Sequence, residues 1–146
     1  MIHLPTATGG RVTFTGQPGR VVGQGELLAR IAPEAPDDGP VEELVAPFDA
    51  IVAVQRLGAE LAPRHARIVG LRRVVRASME GRVRWQAELG PVNADSCVAL
   101  LVSRSGEVLR AQRAGAVGWI GEVFTRAGRM VQQGDALLEI RGEELG

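Results

Sequence analysis

Lysine and tyrosine are absent from the 146 residues, so all seventeen cationic side chains are arginine. Without an ε-amine the chain can form no Schiff base, supply no phosphate-loop lysine, and accept no biotin or lipoate through an amide. Aromatics make up only 3% of the residues, which leaves an aliphatic core to be built. The single cysteine, Cys97, excludes an intrachain disulfide and a multi-cysteine metal site, and fits a reducing compartment. Seventeen acids balance seventeen arginines, so no net field draws in nucleic acid or an anionic membrane. Apolar runs fall well short of the roughly 18 residues that span a bilayer, and no basic-then-apolar leader opens the chain. The cytoplasm is the expected compartment.

What is abundant is glycine, at 19 residues, with eight prolines beside it. Between them lie short runs of alternating apolar residues: Val12 and Phe14, Ile51 to Val54, Val83 and Trp85, Val117 and Trp119. Such runs read as strands, which makes the chain all-β. The only helical candidates are short, such as Ala62 to Ile68, where Pro63 fits only a first turn.

Internal repetition is visible. Residues 19–31 read GRVVGQGELLARI and residues 128–140 read GRMVQQGDALLEI, with seven of thirteen positions identical. Gly19, Val22, Gly25, Leu28 and Ile31 recur every three residues, as do Gly128, Val131, Gly134, Leu137 and Ile140. Two glycines would cost a helix about 1 kcal/mol each, so the block reads as turn, one-residue anchor, turn and strand. Two degraded copies lie between: Gly58 and Leu61 before Ile68 and Val69, and Gly90 and Val92 before Val98 to Val102. Ahead of each block a small residue precedes by four positions the Gly or Ala that starts the next strand. These pairs are Thr6 and Gly10, Ala46 and Ala50, Ala77 and Gly81, and Ala111 and Gly115. The chain is thus expected to hold four half-units, each too small to bury both faces alone. Paired in order they make two domains, 1–72 and 73–146, with a seam near Leu71 to Val74. The first and fourth blocks match best, so they could instead close one barrel around an inserted middle pair.

The stretch GELLARI, a loop, then LVAPFDAIVAVQRLGAEL resembles the biotinyl/lipoyl carrier domain, and RAGRMVQQGDALLEI is similar to its closing half. The resemblance implies two tandem barrel-sandwich hybrid, or hammerhead, domains. In that family a hairpin between the halves presents the lysine that a ligase modifies. Here the first such place is held by residues 32–43, APEAPDDGPVEE, with three prolines and five acids. The second is the tight Ser103 to Glu107 turn. Neither can accept the cofactor, so the resemblance implies a scaffold without cargo, and no cofactor or metal is expected.

Candidate sites are few. The acidic loop from Glu34 to Glu43 could recognise a basic partner, but reads as a solvated linker. Arg64, Arg67, Arg72, Arg73 and Arg76, with His65 among them, are a possible interaction cluster, since guanidinium groups bind phosphate bidentately. Strand alternation would split them between faces, and no aromatic lies among them for stacking. His3 and His65 have no acid or Cys at ligand spacing. Cys97 reads as a structural thiol, and Ser103 and Ser105 lack a nucleophile elbow. Trp85 and Trp119 are expected at matching places in the third and fourth half-units, packed in the core or between domains. The function expected is a non-enzymatic assembly module with a protein partner, able to form homo-oligomers. The alternative is an accessory domain of a nucleic-acid-handling or transport machine, as in polymerase insertions or efflux adaptors.

Overall fold

The computed structural model describes residues 1–35, 39–56, 61–86 and 90–142. Gly58, and the middle of the acidic loop, lie outside them. The chain is all-β: strands take 55% of the described residues, and none is helical. Among the described residues fifteen strands follow one another. The first four are β1 (Ile2–Pro5), β2 (Gly10–Phe14), β3 (Val21–Val22) and β4 (Leu27–Ala32). Next come β5 (Glu42–Val45), β6 (Ala50–Gln55), β7 (Leu61–Ala62) and β8 (Arg67–Arg76). Then follow β9 (Gly81–Trp85), β10 (Pro91–Val92) and β11 (Cys97–Val102). The last four are β12 (Val108–Arg113), β13 (Gly118–Val123), β14 (Met130–Val131) and β15 (Ala136–Arg141). The segment from Ala62 to Ile68 is no helix: a turn closed by the Ala66 amide on the Pro63 carbonyl joins β7 to β8.

The chain divides into two compact units, Met1–Arg72 and Arg73–Gly146. In the first, β1 pairs β8 and β4 pairs β5. The short strands cross over in the same way, β7 onto β2 and β3 onto β6. Within each quarter the second strand pairs the fourth, β2 with β4 and β6 with β8. Each quarter therefore fills the open edges of the other, which is why neither could stand alone.

The second unit has the same scheme. β8 pairs β15 through Val74 to Arg76, and β11 pairs β12. β14 lies on β9, β10 on β13, β9 on β11 and β13 on β15. Strand pairing thus joins the first quarter to the second and the third to the fourth, not the first to the fourth. Sequence likeness between the outer blocks reports an equivalent position and, among the described residues, is not accompanied by strand pairing.

Each unit has its own apolar cluster. Val22, Leu28, Ile31, Val52, Val69 and Leu71 centre the first, and Val83, Val98, Leu101, Val131, Leu137 and Ile140 the second. The three-residue spacing of the sequence now has a physical meaning. Val22, Ala62, Val92 and Val131 are the buried residues of the four two-residue strands. In the second copy that anchor is Ala62 rather than Leu61, which is 43% exposed. Three residues on, Gly25, His65, Asp95 and Gly134 each occupy the third place of a β-turn. In all four turns the fourth amide donates to the first carbonyl, at 3.0 to 3.1 Å as Glu26 to Gly23, Ala66 to Pro63, Ser96 to Asn93 and Asp135 to Gln132. Gly25 and Gly134 have φ of 86° and 92°, and His65 is held at 64°, a left-handed conformation in a residue with a Cβ.

The small residues seat these turns. Ala46 receives the Gly25 amide on its carbonyl and donates its own amide to Glu26, at 2.7 and 2.9 Å. Thr6 makes the same exchange with His65 and Ala66, and Ala77 with Gly134 and Asp135. In the fourth quarter the residue that donates to the turn is Ala114, to the Ser96 carbonyl at 2.9 Å, and β13 starts at Gly118. The expected pair, Ala111 and Gly115, is therefore displaced by three residues: Ala111 is exposed on β12, and Gly115 lies in the loop after it.

Candidate functional site

The five arginines differ in setting. Arg64 lies in the β7–β8 turn and Arg67 opens β8, both exposed. Arg72 and Arg73 are half-buried further along that strand, and Arg76 Nε donates to the Gly134 carbonyl at 2.8 Å. Arg76 thus seats a turn of its own unit. His65 is exposed, and its backbone rather than its ring explains its place. The His3 ring packs against Gly70, where a Cβ would sit 3.3 Å from Nδ1 and 2.7 Å from the Met1 sulfur. Burial first, then the charges of Arg56, Arg67 and the N-terminus, lower the His3 pKa below its usual value. Among the described residues no group of three His, Cys, Asp or Glu could hold a metal ion.

Cys97 opens β11, half-buried, with its thiol donating to the Ala99 carbonyl at 3.5 Å. Ser103 and Ser105 share a hydrogen bond of 3.0 Å across the β11–β12 turn, and Ser103 Oγ also accepts the Glu107 amide. Both hydroxyls shape the hairpin. Residues 33 to 35 and 39 to 41 carry the described ends of the acidic loop, and the β5 that follows bears Glu42 and Glu43. Glu42 is engaged: its carboxylate accepts the Ala7 and Thr8 amides and the Thr8 hydroxyl, at 2.9 to 3.1 Å. Burial works to raise its pKa, but those donors outweigh it and hold the carboxyl below the usual value.

The two tryptophans do not match. Trp85 is the last residue of β9 and packs on the second core, whereas Trp119 is the second residue of β13 and is 51% exposed. Alternation at the start of β13 explains this. Gly118 and Ile120 turn toward the interior, while Val117 and Trp119 turn outward, with Val117 at 69% exposure. A register shift follows Ile120, and Val123, also exposed, stands opposite Leu138. Beside them on β15, Arg141 stands opposite Trp119. Its Nε is 3.0 Å from Glu139 Oε1, on a buried carboxylate that also accepts the Glu122 amide. Gly121 leaves the room this carboxylate occupies, because a Cβ there would strike Glu139 Oε1.

Val117 and Trp119, two positions apart and both exposed, have Arg141 opposite Trp119, and aromatic and arginine side chains are enriched in the surfaces of protein contacts. Its signal was in the sequence as the alternation of Val117 and Trp119. It is hidden by the assumption that a tryptophan in an aromatic-poor chain belongs inside. No family model matches the chain, and no curated protein matches it.

Proposed function

We propose that the chain is a non-catalytic protein-interaction or assembly module, built on two tandem barrel-sandwich hybrid units like those of biotinyl/lipoyl carriers. The exchange of strands between quarters supports that scaffold, and a duplicated duplication accounts for it most simply. The hairpins where such carriers present lysine are β4–β5 and β11–β12. Neither contains one, so the module acts through its surfaces and not through an attached cofactor.

The observation that carries the reading is the exposed pair of Val117 and Trp119, with Arg141 opposite Trp119. Trp and Arg are among the residue types enriched at the energetic centres of interfaces, and Trp119 is half exposed. The test is a pull-down with the full chain as bait, read by mass spectrometry and repeated with Trp119→Ala. A specific partner whose affinity falls about tenfold or more in the variant supports the reading. Retention of nothing specific, or retention indifferent to Trp119, overturns it. Intact mass after co-expression with biotin and lipoate ligases is expected to be that of the bare chain, and a cofactor-sized gain would refute the lysine argument.

A further inference from the structure

Among the described residues, β5 and β12 each end a four-stranded sheet whose other end is a two-residue strand, β7 or β14. β5 pairs only β4, and β12 pairs only β11, so each presents one open row of backbone donors and acceptors. Both are unusually apolar for such edges: Val45 is 44% exposed, and Val108 and Leu109 are 56% and 42% exposed. Their charges have opposite signs. β5 carries Glu42 and Glu43, and β12 carries Arg110 and Arg113.

We infer that β5 of one copy pairs antiparallel with β12 of a second copy, joining chains head to tail. The inference deepens the reading of the chain as an assembly module by naming a second copy as the partner. Pairing β5 with β5 would crowd glutamates, and β12 with β12 would crowd arginines, so like edges repel. Only the mixed pairing is charge-complementary. Setting Glu43 opposite Arg110 places a charge pair in line, of a kind that favours cross-strand contact. A register shift in β12 between Val108 and Arg110 interrupts alternation there, so the exposed apolar residues of the two edges add contact area beside that pair and not a fixed ladder of pairs. Glu43 is available for this exchange. Its present partner, Arg30, lies 3.9 Å away, and both side chains are more than half exposed, a geometry that contributes little. Because the two surfaces differ, the contact is heterologous and leaves a free edge at each end of a dimer.

The test is sedimentation velocity of the full chain from low micromolar to near-millimolar concentration. Mass should rise with concentration. Glu43→Arg alone and Arg110→Glu alone should each weaken association about tenfold or more, and added salt should weaken it in the wild type. Mixing the two variants restores opposite charges at every junction and should restore association, as should the double variant. Circular dichroism of each variant checks the fold, which these exposed sites should leave intact. A chain that stays monomeric throughout, association that survives both single reversals, or loss without rescue in the mixture overturns the inference. The Trp119 pull-down is independent: a monomer that still captures a partner through Trp119 removes self-pairing and leaves the interaction reading standing.

Discussion

His65 stands where two of its three counterparts are glycine. Gly25 and Gly134 adopt left-handed φ without cost, whereas a residue with a Cβ gives up about 1 kcal/mol or more there. The His65 ring is exposed, so little packing is lost on its removal. His65→Gly is therefore expected to raise stability by up to about 1 kcal/mol, net of the greater freedom glycine gives the unfolded chain. Gly25→Ala should cost about 1 kcal/mol, since a Cβ there meets open space and only the backbone conformation is strained. Urea denaturation of both variants checks the pair, and a His65→Gly protein less stable than wild type would sink the argument. The spacing Val22 to Gly25 and Val131 to Gly134 was legible as sequence. The equivalence of His65 was not, because the histidine conceals the turn that the hydrogen bonds expose.

At the level of strands, the small residue four positions ahead of each strand was a sound signal with one ambiguous instance. The segment from Ala111 to Gly118 contains two pairs that satisfy the spacing, Ala111 with Gly115 and Ala114 with Gly118. Only the second lets the amide reach the Ser96 carbonyl, and only Gly118 avoids a clash that a Cβ would make with the Arg141 carbonyl oxygen. Such a choice depends on the partner strand, which no local pattern contains. The same holds for Glu42, which reads as one more acid of a solvated loop. It is instead the clasp that ties the start of β5 to the corner between β1 and β2. Its lowered pKa gives the sign of the pH effect. The folded form holds the carboxylate more strongly than the unfolded chain, so the clasp stabilises fully above the ordinary value of 4.5 and fades as pH falls through the lowered one. Glu42→Gln should cost about 1 kcal/mol near neutrality, and the gap to wild type should close in acid. A gap that is constant down to the acid transition would remove the clasp from the account.

For the chain as a whole, alternation and turn chemistry made the all-β class legible, because strands this short leave no other reading of the glycines. Which quarters pair was not legible. Sequence likeness ranks the outer blocks first, while pairing depends on which open edges are near along the chain, and short connections favour consecutive quarters. The result is two cores with no residue in common. Ile31 and Ile140 hold equivalent places in them, each nearly fully buried, so truncation of either to Ala should cost about 2–5 kcal/mol. Energetic coupling follows shared partners, and these two share none. A double-mutant cycle of Ile31→Ala with Ile140→Ala should therefore show an interaction below about 0.5 kcal/mol, read from the unfolding of each unit. The control is Leu138→Ala with Ile140→Ala, two members of one cluster, where the second cavity opens beside the first and the costs should depart from additivity. Coupling between Ile31 and Ile140 as large as in that control would mean that the cores, though built from separate residues, do not act as separate sources of stability.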